Sequence, residues 1–237
     1  GKDFIARKSR YCLWLKDILP SELKKYPKIM ERVKNVREFR LSCPSPDTNH
    51  YADKPTFPVR LRYYSEDRIN PALALPKVSS QNRRYIPMEV IDADVIAGSK
   101  LFLIPDISLY HFGVLTSNVH MAWMRTVCGR LKSDYSYASN VVYNTFPWPE
   151  PTAQQRQKIE QTAQAILDAR ALYPDSSLAD LYDELTMPPE LRKAHRQNDM
   201  AVMQAYGFTK GSEAYKSEAA CVAELMQRYQ KLCEEQK

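Results

Sequence analysis

Over the first 150 positions the apolar residues fall into short runs separated by polar and proline-rich stretches, whereas after Pro151 they recur at helical spacing. The pattern predicts an α+β chain, with a mixed sheet and helices first and an all-helical part after it. Tyr11-Cys12-Leu13-Trp14-Leu15 reads as a strand. Pro20-Ser21-Glu22 then opens a helix capped by Ser21, with Ile29, Val33, Val36 and Phe39 on one face. A long irregular connection is expected from Cys43 to Pro71, where Pro, Asp, Asn and Tyr are frequent. Strand-like runs follow at 72–75, 84–88 and 101–104, divided by the polar loops Ser79-Ser80-Gln81-Asn82-Arg83 and Gly98-Ser99-Lys100. A helical region from about Ser108 should stop at Gly129, and Val141 to Phe146 should form one more strand before Pro147-Trp148-Pro149.

Beyond Pro151 the strand signals stop. Thr152-Ala153-Gln154-Gln155 is a capping box, and further helices are expected near 178–185, from Pro189 to a stop at Gly207, and from Ser212 to about Leu232. The domain boundary is therefore placed near residue 150, giving domains 1–150 and 151–237.

Charge sharpens this division. Residues 1–150 hold 23 basic against 15 acidic side chains, a net +8, and residues 151–237 hold 11 against 13, a net −2. The basic excess points to a polyanion partner for the first part. Part of it lies on the outer face of the helix after Pro20, where Lys24, Lys25, Lys28, Arg32, Lys34, Arg37 and Arg40 could track a phosphate backbone or form a solvated face. The five cysteines are scattered, odd in number and without a Cys-x-x-Cys pair, which argues against a disulfide framework and fits a reducing cytoplasm. No stretch approaches the ~20 apolar residues that span a bilayer, so no membrane partner is expected. The chain begins without Met and runs quickly into an apolar stretch, and we read it as part of a longer protein.

Catalytic chemistry is not legible. His50, His111, His120 and His195 are far apart in sequence, and no metal site is expected. Glu22-Leu23-Lys24 has the form of a nuclease element, but it sits at a helix start ahead of the Pro-Asp pairs. The segment Gly129 to Tyr137 is more informative. Read as one strand, it places Lys132, Asp134 and Ser136 on one face and Leu131, Ser133, Tyr135 and Tyr137 on the other. A lysine donor beside an aspartate acceptor can address both halves of a G·C pair in the major groove. From spacing alone an ordinary surface Lys and Asp on an edge strand is the favoured reading.

A resemblance bears on that choice. His120-Met121-Ala122-Trp123-Met124-Arg125, Gly129-Arg130-Leu131-Lys132-Ser133-Asp134-Tyr135 and Val142-Tyr143-Asn144-Thr145-Phe146-Pro147-Trp148-Pro149 resemble the target recognition domain of the MmeI-like, type IIL restriction-modification adenine methyltransferases. Arg10 to Leu15 and Arg83 to Pro87 do so too, and Leu185-Thr186-Met187-Pro188-Pro189-Glu190-Leu191 is similar to the family's C-terminal region.

The resemblance implies duplex DNA as partner, a methyltransferase domain in the same chain, and S-adenosylmethionine as cofactor of the full-length protein. It implies methylation of a flipped adenine at its exocyclic amine. It makes Lys132 and Asp134 the leading base readers, with Ser136 next. Arg130 is expected on phosphate, Ser79, Gln81, Asn82, Arg83, Ser99 and Lys100 are weaker DNA contacts, and Trp123, Trp148 and Tyr143 belong to packing.

A methyltransferase of this kind also needs a Gly-rich turn for the cofactor and an Asn-Pro-Pro-Tyr type loop for the adenine. The six glycines form no Gly-x-Gly, and Pro188-Pro189 follows Met187 at a helix start. No catalytic or cofactor residue is therefore assigned, and the segment should not methylate alone. Two other readings remain: a stand-alone DNA-binding specificity subunit, decided by the upstream reading frame, and a protein–protein module, decided by salt-dependent binding to duplex DNA.

Overall fold

The computed structural model describes residues 1–57 and 70–235. They fall into two compact units, one of Gly1–Lys8, Asp67–Val95 and Lys100–Lys237, the other of Ser9–Glu66 and Ile96–Ser99. The first unit opens with the short helix α1 (Lys2–Ile5), which packs Phe4 and Ile5 against its core.

Each described helix of the second unit starts on a proline, whose fixed φ suits the first helical position: α2 (Pro20–Leu23), α3 (Pro27–Ser42) and α4 (Pro46–Asn49). Pro27 splits the single helix expected here in two. Leu19, not Ser21, is the N-cap of α2. The run 11–15 is not a strand either, and Tyr11 is 95% exposed.

Arg40 corrects the basic-face reading. Its side chain is buried, and its guanidinium donates to the carbonyls of Tyr51 (3.0 Å), Lys54 (2.7 Å) and Phe57 (2.7 Å). Arg40 thus closes the chain after α4 back onto α3. Arg40→Met keeps the stem but orphans three carbonyls, and should cost on the order of 2 kcal/mol in urea unfolding of this unit. Of the irregular connection expected from 43 to 71, residues 58–69 lie outside the described residues.

The first unit holds two three-stranded antiparallel sheets. In one, β1 (Ala72–Pro76) lies between β3 (Glu89–Ile91) and β4 (Leu101–Pro105). All five residues of β1 are buried, as a central strand covered on both faces requires, and Leu73 and Leu75 join the main core. In the other sheet, β6 (Asp134–Ser136) lies between β2 (Val78–Ser79) and β5 (Gly129–Leu131). One residue joins them. The Lys77 N–H donates to Lys100 O (3.0 Å), extending the β1–β4 ladder, and Lys77 O accepts from Tyr137 N (2.8 Å), extending the β2–β6 ladder.

The expected helix from Ser108 is two helices, α5 (Leu109–Leu115) and α6 (Asn118–Val127), capped by the side chains of Ser108 and Ser117. Gly129 does not end the second: Cys128 is already extended and Gly129 begins β5. Val141 to Phe146 is not a strand, since Ser139–Tyr143 forms a π-helical turn whose Val142 carbonyl accepts the buried indole N–H of Trp123 (3.2 Å).

The helical region follows as α7 (Ala153–Ala171), α8 (Leu178–Leu181), α9 (Pro189–Ala205), α10 (Glu213–Lys216) and α11 (Glu218–Glu235). The Thr152–Gln155 capping box is present, and Gly207 at φ 77 takes the left-handed position after α9. An extended Ser217 separates α10 from α11. Helices α7 and α9 pack on each other and on α5, so one core runs through residues on both sides of position 150.

A buried polar network ties this helical core to the segment after β2. Arg170 on α7 donates to Met88 O (2.7 Å) and to the Tyr182 hydroxyl, which in turn donates to His195 Nε2 (2.9 Å). The ring of His195 stacks on Tyr85 at 4.2 Å. The Tyr85 hydroxyl donates to Asp199 Oδ2 (2.6 Å), while Asp199 Oδ1 accepts the Asn118 N–H at the start of α6 (2.8 Å). Arg125 donates to Arg84 O (2.6 Å). Residues 84–88, expected as a strand, are thus irregular backbone pinned by side chains.

Candidate nucleic-acid interface

The segment Gly129 to Ser136 is a tight hairpin, not one strand. Gly129 pairs with Ser136, Arg130 with Tyr135 and Leu131 with Asp134, leaving Lys132 and Ser133 as a two-residue loop. Such a loop needs positive φ at its first position, and Lys132 supplies it at φ 56 without being glycine or asparagine. Lys132 is therefore exposed at the tip.

Period two holds from Asp134 onward. Tyr135 and Tyr137 are buried, while Asp134 and Ser136 are half-buried on the opposite face. The turn changes the rest of the expected face. Leu131 lies directly across from Asp134 and shares its face, 58% exposed, a residue the single-strand reading had turned the other way.

The inner side is anchored. The Tyr137 hydroxyl lies 3.1 Å from Nε2 of His120, which is fully buried on α6, and burial pushes that imidazole down to about 3. A neutral His120 can accept from Tyr137, and a charged one cannot. Arg130 is committed within the hairpin: its guanidinium lies 4.0 Å over the Tyr135 ring and donates to Ser133 O (3.0 Å), bracing the turn.

The neighbouring loop comes with it. Strand β2 pairs with β6, and the N–H of Gln81 points at Asp134 Oδ1 over 3.4 Å. Gln81 and Asn82 are exposed beside the hairpin, in a turn held by Asn82 N–H to Ser80 Oγ (3.3 Å) and Arg83 N–H to Ser80 O (3.1 Å). Ser79 sits opposite Tyr135 and is buried, with no partner for its hydroxyl, and Arg83 is half-buried with an unpartnered Nε. Lys100 is exposed at the start of β4, and Ser99, also exposed, belongs to the second unit.

Trp123 is buried, and Trp148 makes edge contacts with His111, Tyr143 and Phe146, so these rings serve packing. Among the described residues no three His, Cys, Asp or Glu side chains gather as for a metal, and no helix is long and apolar enough to cross a membrane.

The hairpin thus carries an exposed cation and apolar side chain and a half-buried carboxylate on a narrow two-stranded ribbon, with an amide-bearing turn beside it. Ribbons of this width enter the major groove, where such groups can meet acceptors, amino donors and methyl groups.

Residues 1–150 match the family described as MmeI, target recognition domain, and residues 151–236 match MmeI, C-terminal domain. The chain is 36% identical over 232 residues to DNA methyltransferase A of Bacillus subtilis (strain 168), covering 98% of this chain and 25% of that protein. Among solved structures, the type IIL restriction-modification enzyme MmeI in complex with DNA superposes with a TM-score of 0.89 at 42% identity, covering 98% of this chain and 30% of that one. The chain spans roughly a quarter to a third of the length of these relatives. Two contiguous family matches over nearly its whole length show that this chain belongs to the MmeI family, as its target recognition domain followed by its C-terminal domain.

Proposed function

We propose that this chain reads base pairs of duplex DNA for an adenine-specific, S-adenosylmethionine-dependent methyltransferase of a restriction-modification system, and that the β5–β6 hairpin is the reading element. One observation carries the assignment: in a family of target recognition domains, Lys132 stands exposed on a hairpin tip with the half-buried Asp134 at the adjoining strand end. The DNA complex of MmeI, 42% identical to this chain, supports DNA as the partner. In this reading Lys132 approaches guanine acceptors, Asp134 accepts from a cytosine amino group, and Leu131 offers apolar surface to a thymine methyl. Ser136, Gln81 and Asn82 flank them. Arg130 holds the turn, and from its exposed position also faces the backbone. Residues 1–150 would form the recognition part and residues 151–237 a helical part that braces it.

The methyl-transfer chemistry belongs elsewhere in the protein. The one glycine at positive φ, Gly207, ends a helix, and no glycine-rich turn is available to seat the cofactor. The residues present do not fit S-adenosylmethionine, and a methyltransferase domain of the same protein would hold it, in the cytoplasm.

The test is methylation mapping of the full-length protein carrying Lys132→Gly and Asp134→Ala. Glycine removes the ammonium and keeps the positive φ of the turn, so the hairpin stays folded. One position of the modified site should relax or change, a discrimination of about 1–3 kcal/mol. An unchanged motif in the double variant would sink the proposal.

A further inference from the structure

Seven basic residues were candidates for following a phosphate backbone near α3, and the structure separates them. Arg40 is buried on carbonyls. Lys25 pairs with Glu22 (3.0 Å), Lys34 with Glu38 (3.8 Å) and Arg37 with Asp53 (3.6 Å). Among the described residues Lys24, Lys28 and Arg32 have no ion pair and all three are exposed, but Lys24 is the C-cap of α2 and only Lys28 and Arg32 lie on α3. These two recur with Asn35 and Phe39 at spacings of four, three and four, so the four form one stripe along α3. Phe39 is 65% exposed and Asn35 is exposed too. The inward side of the helix is a different set, Ile29, Val33 and Arg40. Glu31 and Glu38 project from the neighbouring stripe.

Neither cation helps the helix locally. Lys28 sits in the first turn, where the helix dipole disfavours positive charge and where no acidic residue compensates. Among the described residues these two cations thus stand without an ion pair on one exposed stripe, a charge arrangement complementary to a polyanion.

We infer that the Lys28–Arg32–Asn35–Phe39 stripe of α3 is a second DNA contact, which follows the phosphate backbone and reads no sequence. It rests on the proposed DNA-reading function. Its occupant is the duplex backbone, because the stripe offers two cations and an amide over about 10 Å of helix, about three base-pair rises, and contains no carboxylate. Phosphate contacts of this kind position the protein and leave base choice to the hairpin.

The experiment compares the intact protein with two variants in titrations of cognate and unrelated duplexes over a range of salt. Lys28→Gln with Arg32→Gln removes the stripe, and Lys34→Gln with Arg37→Gln removes equal charge from the ion-paired side of the same helix. The first variant should flatten the slope of log K against log salt by about 2 and weaken binding on the order of tens-fold near 0.1 M salt, equally for both duplexes. Its methylation motif should be unchanged, and the second variant should lose less than half as much slope. An unaltered slope in the first variant, an equal loss in both, a loss confined to one sequence, or weaker binding without a change in slope would each overturn the inference, the last pointing to a protein surface instead. Absence of salt-dependent duplex binding by the unsubstituted protein would overturn the DNA-reading function itself, and this inference with it.

Discussion

Replacing Gly113 by leucine (Gly113→Leu) is expected to abolish stable folding of the first unit. Gly113 lies in α5 where α7 and α9 come closest, and a Cβ there would stand 2.7 Å from Ile159 Cγ2 and 3.1 Å from both Ala163 Cβ and Asn198 Oδ1. Ile159 and Asn198 have no exposed surface into which to retreat. Asn198 is also fixed by its own bonds, donating to Gly113 O (2.8 Å) and accepting from the Thr162 hydroxyl (3.1 Å), so the three helices meet at one polar junction. Overpacking of a rigid core costs about 1–3 kcal/mol for small additions and more for a whole side chain. Gly113→Ala should therefore destabilise by about 1–2 kcal/mol despite alanine's better helix propensity, and Gly113→Leu by more than about 4 kcal/mol. Thermal unfolding decides the sign. A higher Tm for Gly113→Ala would show that the helices do not approach so closely.

The second large effect is on acid stability. Burial drives His120 down to about 3 and His195 well below its ordinary 6.5, so both are neutral in the folded protein. Burial also drives the Asp199 carboxyl up from its ordinary 3.8 to about 6, against the opposing pull of its bonds from Tyr85 and Asn118. The signs are opposite. A histidine with lowered pKa is protonated only on unfolding, so each contributes stability that is lost as pH falls below about 6.5. An aspartate with raised pKa holds its proton in the folded state, so its contribution is present at low pH and lost as pH rises through about 6.

Between about pH 6 and 4.5 the unfolded chain thus binds two protons at these histidines, and the folded chain binds one at Asp199. For these three groups stability falls by ~1.4 kcal/mol per pH unit on acidification. Asp199→Asn removes the opposing group, and the slope should steepen to ~2.7 kcal/mol per unit. Relative to the unsubstituted protein, Asp199→Asn should gain roughly 2 kcal/mol in going from pH 4 to pH 8. Urea unfolding across this range measures it, and parallel pH profiles for the two proteins would refute the assignment of Asp199.

Where local chemistry decides the conformation, the chain could be read without its structure. The Thr152–Gln155 box, Pro189 at a helix start, Gly207 beyond a helix end and the strands at 72–76 and 101–105 all depend on a few adjacent residues. The failures share a cause in distant partners. Gly129 resembles a helix stop by composition, yet it opens a hairpin because Tyr135 and Ser136 pair with its strand. Val141 and Val142 favour a strand, yet the Val142 carbonyl is taken by Trp123. Arg40 lies in a run of surface cations but turns inward to three carbonyls more than ten residues away. Within the candidate site, the alternation of Asp134 to Tyr137 was legible, but the turn that takes Lys132 off that strand face was not. Nor was Leu131, because Lys-Ser carries none of the glycine or asparagine that marks a two-residue turn.

The single-residue junction at Lys77 has a bearing on how such a protein can be altered. Since its N–H and carbonyl serve different sheets, adding or deleting a residue there would break one ladder or the other and turn Val78 and Ser79 of β2 to opposite faces. The turns at 80–83 and 132–133 carry no such double duty. The tips should therefore be exchangeable on an unchanged frame, as bits are changed in a drill whose chuck stays fixed.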